Sequence, residues 1–238
     1  ASRRSEIEEL PVAPSEPRVM EGGHIRSGSM QGCPVLSVGV IVDLFQSSVS
    51  GGHVKTWEKL AHAACGEALD LTVYFFGSKG GELPLAENVR YVHVPPILST
   101  ASFPFLDGIP AHTDLAPLHL GAMRRFRRHQ VLHATAAYFS LARAARMLSR
   151  WSSRALVHST HTDTPGYTRV YTDQVLRRMC GDSWLGRTLR ERWKVPERMG
   201  QRMERRLERY LRRCDWALAP DEDGMRQLHS AIAPARTS

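Results

Sequence analysis

The residues best placed to do chemistry begin at Ser50-Gly51-Gly52-His53. They follow a largely apolar run, Val35 to Phe45, and lead into a helical pattern that starts near His53. A strand, a glycine turn and a helix N-terminus together favour negative charge, because backbone N–H groups and the helix dipole converge there. The signature is partial. The glycines are adjacent rather than spaced as in a dinucleotide fingerprint, and no Gly-Lys-Ser/Thr of a phosphate-binding P-loop follows. An ordinary tight βα turn accounts for the same residues.

A second constellation lies in HSTHTDTPGYTRVYT, His158 to Thr172. Pro165 and Gly166 stop a short strand and expose its end, leaving His161 and Asp163 together. Such a pair can bind a sugar hydroxyl or move a proton. It can equally be a satisfied polar strand end. Strand alternation argues against a metal site built from His158, His161 and Asp163. Positions 158 and 161 face opposite sides, and only 161 and 163 share one.

Two weaker candidates follow. In VLHATAAYF, Val131 to Phe139, His133 sits near a strand end, and Thr135 and Tyr138 lie where the chain turns to the next helix. A binding role competes here with a core histidine and a helix cap. In His112-Thr113-Asp114, the aspartate reads equally well as a helix cap. The chain has no Gly-x-Ser-x-Gly elbow, no HExxH helix, and no nucleophilic cysteine beside a positioned base.

The charge is uneven. The chain carries a net charge of +8, and Arg187 to Arg213 contains eleven Lys/Arg against four Glu, a surplus of seven. Along ERMGQRMERRLERYLRR, a Met/Leu/Tyr stripe faces inward and Arg205, Arg206, Arg209 and Arg212 face outward. Glu208 can pair with Arg212 and Arg205, whereas Glu204 meets only the like charge of Glu208 at i+4. Such a face is either simply solvated or drawn to phosphates, as on an anionic membrane surface. Few aromatics interleave the arginines, which disfavours single-stranded nucleic acid as a partner.

The elements that must position these residues alternate. Strands are expected at Val35–Phe45, Leu71–Phe76, Val89–Val94, Val131–Ala134, Ala155–Thr160 and Trp216–Ala219. Helices are expected at His53–Glu67, Asp114–His129, Phe139–Trp151, Thr168–Met179 and Gln201–Arg213, with a further one opening over Asp221–His229. Ser78–Gly81 reads as a turn and Ser99–Pro110 as a long loop. This alternation implies an α/β fold: one doubly wound, mostly parallel sheet with helices on both faces. Ligands of such sheets sit beyond the carboxyl ends of the strands.

At 238 residues and 42% apolar content, the chain suits one large domain over 34–230, with a disordered lead-in over 1–33 and a tail over 231–238. No apolar run is long enough to span a bilayer, and the first residues lack a signal peptide's apolar core. A cytoplasmic protein is expected. Cys33, Cys65, Cys180 and Cys214 are far apart and suggest neither a zinc site nor a disulfide framework.

Four segments together resemble the N-terminal domain of bacterial family 4 (group 1) glycosyltransferases, which have the GT-B fold. They are SGGHVKTWEKLA (50–61), HTDLAPLHLGAMRRFRRHQVLHATAAYFSLARAA (112–145), HSTHTDTPGYTRVYT (158–172) and RRCDWALAPDEDGMRQL (212–228). The resemblance implies a Rossmann-like domain and retaining transfer of a sugar from a nucleotide-sugar co-substrate to a lipid or saccharide acceptor, with no bound metal and no covalent cofactor. By the resemblance, Gly51 and Gly52 lie near the donor phosphates with His53 beside them, and His161 contacts the transferred sugar. Thr135, Tyr138 and Asp163 then neighbour the cleft, and the basic face meets lipid, on the inner side of the membrane. The family's second domain, which carries a pair of glutamates and most nucleotide contacts, is not among these residues. A missing C-terminal domain or a partner chain is therefore expected to complete the enzyme.

Overall fold

The computed structural model of the chain describes residues 35–46, 51–102, 113–161 and 163–219. The lead-in 1–33, the tail 231–238, His112, Cys33, most of the 99–110 loop and the helix expected over Asp221–His229 lie outside the described residues.

Seven strands form one sheet: β1 (Leu36–Phe45), β2 (Leu69–Phe76), β3 (Gly81–Pro84), β4 (Val89–Val94), β5 (Val131–Ala134), β6 (Ala155–Ser159) and β7 (Trp216–Leu218). Their order is β3-β4-β2-β1-β5-β6-β7, and every neighbouring pair is parallel except β3 with β4. The helices are α1 (Gly52–Ala63), α2 (Leu120–Phe126), α3 (Ser140–Arg150), α4 (Thr164–Cys180), α5 (Trp184–Arg187) and α6 (Val195–Leu211). A 3-10 turn spans Thr100–Ser102 and a π-helical turn Thr188–Arg192. This is the doubly wound Rossmann-like architecture implied by the β/α alternation.

The strand period of two sorts the core into two layers. Val40, Val42, Val73, Phe75 and Tyr91 pack with Val54, Trp57 and Ala61 of α1. Ile41, Tyr74, Phe76, Leu132 and Leu156 pack with residues of α2, α3 and α6, among them Phe126, Leu141 and Tyr210. Each fully buried side chain of this size contributes about 1.5–3 kcal/mol. The parallel strands therefore need helices on both faces.

Several boundaries differ from expectation, each for a local reason. The turn expected at Ser78–Gly81 leads into β3, an edge strand with all four residues exposed. It pairs through its backbone and one ion pair, Glu82 with Arg90 of β4 at 3.7 Å, and carries no apolar pattern. The helix expected from Asp114 starts only at Leu120, since Pro117 disfavours helical backbone just before it. The Asp114 carboxylate is not a helix cap. It accepts the N–H groups of Leu98 (2.8 Å) and Ala116 (3.0 Å) and the Ser140 hydroxyl (2.7 Å). The cap of α2 is His119, whose Nδ1 accepts Ala122 N–H while its Nε2–H donates to Pro95 O. Helices α4 and α6 begin earlier than expected, each with a proline in the first turn. They pack closely at Gly200, where a Cβ would stand 2.4 Å from Arg169 Cγ. Glu204 ion-pairs with Arg169 of α4, a partner that spacing within α6 does not reveal.

Asp43 fixes the start of α3. It is fully buried, and its carboxylate accepts the N–H groups of Leu141 (3.1 Å) and Ala142 (2.8 Å). Its φ of 58° is left-handed, where the β1–β2 register shifts. Burial pushes its pKa up to about 7 against those two hydrogen bonds. Cys65, Cys180 and Cys214 are free thiols. No helix among the described residues is long and apolar enough to cross a membrane.

Candidate functional site

From β1 the sheet winds one way to β2 and β4 and the other way to β5, β6 and β7. The crevice beyond the carboxyl ends of β1 and β5 is therefore the switch point where ligands bind in such sheets. Three of the candidate residues meet there. His53 opens α1 after β1, Thr135 follows β5, and His161 follows β6.

The rings of His53 and His161 stack with centroids 4.7 Å apart, at 21° between planes. The Thr135 hydroxyl donates to Ile41 O at 3.0 Å, so its only proton is committed. His53 must then donate Nε2–H to Thr135 Oγ1, 2.8 Å away. Its Nδ1 is left as an acceptor.

Ser159 extends the cluster. Its hydroxyl lies 2.8 Å from His133 Nε2 and 2.8 Å from His161 Nε2. The hydroxyl has one proton and two lone pairs, so at least one imidazole must donate to it and at most one can accept from it. The tautomers of His133 and His161 are thereby coupled, because the two rings cannot both present a bare Nε2 to Ser159. Trp57 of α1 closes the group, edge-on to His133 at 4.9 Å and to His161 at 6.1 Å. Its buried indole N–H has no acceptor among the described residues.

Burial sets the electrostatics. It lowers the pKa of His53 and of His133 to about 4, helped in each by repulsion from His161, and it lowers that of His161 too. At neutral pH the cluster is uncharged, a set of oriented donors and acceptors suited to hydroxyl groups rather than a cationic anchor.

Beside it stands the N-terminus of α1. Gly51 occupies the N-cap position with no side-chain cap, and a Cβ on Gly51 or on Gly52 would meet nothing within 4 Å. The Gly51 φ is −65°, so neither packing nor backbone strain within the described residues calls for glycine there. The N–H groups of a first helical turn have no acceptor within the helix, so they are where an anionic ligand can bind. Gln46, at the end of β1, is held by Glu58 of α1 (2.7 Å) and His93 of β4 (2.7 Å).

The other candidates lie elsewhere. Asp163 caps α4, its Oδ1 accepting Gly166 N–H at 3.0 Å. The Tyr138 ring is buried in the α3-side core, and its hydroxyl bonds Thr164 next to Asp163. His158 is buried on that same side against Tyr210, with ring centroids 5.5 Å apart, opposite in facing to His161. Arg205 borders a shallow recess with Arg202 and Arg209, whereas Arg206, Arg209 and Arg212 line a groove against α3. Among the described residues no three His, Cys, Asp or Glu side chains are grouped to hold a metal. Ser159 and Trp57 carry no motif, and strand parity of 159 with 161 is the one signal that could have tied Ser159 to His161.

The family model described as Glycosyltransferase Family 4 matches residues 50–238, from the glycine turn to the last residue of the sequence. No curated protein matches the chain. A match over most of the chain, on a doubly wound sheet whose switch point gathers His53, Thr135 and His161, shows that the chain belongs to glycosyltransferase family 4.

Proposed function

We propose that this domain forms the acceptor-side wall of a retaining glycosyltransferase, which moves a sugar from a nucleotide-sugar to a lipid or saccharide acceptor. The carrying observation is the neutral, stacked His53–His161 pair at the switch point, next to the uncapped start of α1. Leaving-group departure puts negative charge on the donor diphosphate and electron deficiency on the sugar carbon. The backbone N–H groups after Gly51 and Gly52 stabilise the first of these. His161, oriented through Ser159, hydrogen-bonds a hydroxyl of the transferred sugar. His53 offers Nδ1 to a second hydroxyl, while Asp163, two residues beyond His161, fixes the start of α4. A neutral histidine suits a hydroxyl because it binds without adding a charge that would compete for the diphosphate.

The test is sugar transfer by the full-length protein from a panel of nucleoside diphosphate sugars, with and without His161→Ala. Transfer that collapses in the variant while the fold persists supports the reading. Transfer indifferent to His161 overturns it. The rival reading is a non-catalytic module that binds anionic lipid or nucleic acid through the arginine helix. It would show no transfer, and binding that is lost when Arg205, Arg206, Arg209 and Arg212 are neutralised but kept when Gly51 and Gly52 are replaced.

A further inference from the structure

On the sheet face opposite α1, helices α3 and α6 leave an open groove of about 590 Å³. Its walls are Arg143 and Arg146 of α3 and Arg206, Arg209, Arg212 and Arg213 at the end of α6, with Ala137 at one side. Among the described residues none of these six guanidinium groups is in an ion pair. Arg143 donates to Pro117 O (3.2 Å), Arg209 to Arg205 O (3.0 Å), and Arg146 lies over the Tyr210 ring at 5.8 Å. Burial and then repulsion, from Arg143 first among its neighbours, lower the pKa of Arg206. Charges from two separate helices thus converge on one space, and among the described residues the acid that acts on them from behind the wall is the buried Asp43, beside Arg143. Asp215, the acid in the adjoining recess, is engaged by Leu156 N–H at 2.7 Å.

We propose that this groove is a binding site for a diphosphate or polyphosphate group, separate from the histidine cluster. Three features select that chemistry. Six forks supply more positive charge than the two described carboxylates near them, Asp43 and Asp215, balance, and guanidinium matches phosphate oxygens in bidentate fashion. Among the described residues no aromatic side chain lines the groove to stack a base, as single-stranded nucleic acid requires. The lining, among the described residues, is arginine and one alanine in a concave wall, without the apolar anchors that seat a protein on a flat bilayer. The volume is that of a small-molecule site. The phosphates belong either to a free ligand such as a nucleoside polyphosphate or to a lipid headgroup.

The full chain is titrated calorimetrically with inorganic pyrophosphate near physiological ionic strength. In a second arm it is floated with phosphatidylcholine vesicles that carry either phosphatidic acid or phosphatidylglycerol. The variants are Arg143→Gln with Arg206→Gln and, as an equal change of charge outside the groove, Arg124→Gln with Arg187→Gln. Saturable pyrophosphate binding that weakens about tenfold or more in the first pair, and less than about threefold in the second, is expected for a free ligand. The same pattern on phosphatidic acid vesicles alone assigns the groove to a lipid phosphate. Replacing Arg143 and Arg206 by lysine keeps charge and fold while removing the forks, and several-fold weaker binding is expected. Binding equally sensitive to both glutamine pairs, unchanged by lysine, or absent from both arms overturns the site. Each of these results is read at Arg143 and Arg206, and the sugar-transfer reading stands or falls on His161 instead, so the two fail separately.

Discussion

The imidazoles of His53 and His161 stack at 4.7 Å although they come from different βα units, one opening α1 and the other following β6. A second contact holds each ring in place, Thr135 for His53 and Ser159 for His161. Two residues from separate βα units are thereby fixed as one surface at the mouth of the sheet.

If that surface binds the sugar, His161→Ala should lower turnover about 10- to 100-fold, the worth of one or two lost hydrogen bonds in a dry site. The protein should melt close to the parent temperature, because His161 is half-buried. Steady-state kinetics beside a thermal melt checks this. An unchanged kcat would remove His161 from the reaction.

Ser159→Ala tests the coupling of tautomers. Without the shared hydroxyl, His133 and His161 each lose a partner at Nε2. Imidazole 15N spectra should then show His161 moving toward a mixture of tautomers, with a smaller loss of turnover than His161→Ala causes. A single tautomer, unaltered in the variant, would show that Ser159 does not orient the ring.

Glycines with different jobs should respond differently. A Cβ on Gly39 would stand 2.5 Å from His129 Cδ2, so Gly39→Ala must displace a ring that accepts the Tyr74 hydroxyl (2.7 Å) and contacts Ser37 (2.9 Å). A loss of about 1–3 kcal/mol is expected from denaturant unfolding. Gly52→Ala meets open space in the first helical turn and should leave stability unchanged or raise it by up to about 1 kcal/mol, whereas Gly51→Ala at the N-cap, where glycine is favoured over alanine, should cost up to about 1 kcal/mol. Their functional effect belongs on donor affinity. Normal donor affinity in both would detach the glycine turn from the phosphates.

Asp43→Ala removes the acceptor for two N–H groups of α3 and should cost about 1–2 kcal/mol. Asp43→Gly loses the same bonds but relieves the left-handed φ of 58°, so it should be about 1 kcal/mol less damaging. Equal melting temperatures for the two variants would deny that this backbone angle carries strain.

Mild acid should weaken the fold. Burial lowers His53, His129, His133 and His158 to about 4, so below pH 6.5 the unfolded chain binds their protons and the folded chain does not. Stability from these groups is present above 6.5 and is lost as pH falls toward 4. Asp43, raised to about 7, has the opposite sign: its contribution is present at low pH and is lost as pH rises through 7. Four protons against one leave a net slope of up to about 4 kcal/mol per pH unit near pH 5. Guanidinium unfolding at several pH values between about 5 and 7.5 measures it. A midpoint that does not move would contradict neutral burial of these rings.

Sequence by itself determined the layers of this protein. Val89–Val94 and Val131–Ala134 were legible to the residue, because short runs rich in apolar and β-branched side chains stand out locally as strands. The β/α alternation then required a doubly wound sheet, and with it a ligand crevice beyond the carboxyl ends of the strands. The glycine turn and His161 were legible as candidates because turn chemistry is local. Tertiary structure alone decided which candidates meet. Edge strand β3 pairs through backbone and leaves no side-chain pattern. Asp114 and Asp43 are tied to groups far along the chain, so neither reads correctly from its neighbours. Ser159 is an ordinary strand serine until β5 and β6 lie in register and place it between two imidazoles. The arginines of α6 read as one solvated helical face, and only packing against α3 sets Arg143 and Arg146 across from them. Periodicity specifies which side of an element is buried. It does not specify what faces that side, because a neighbour in a packed fold is set by topology and register and not by distance along the chain.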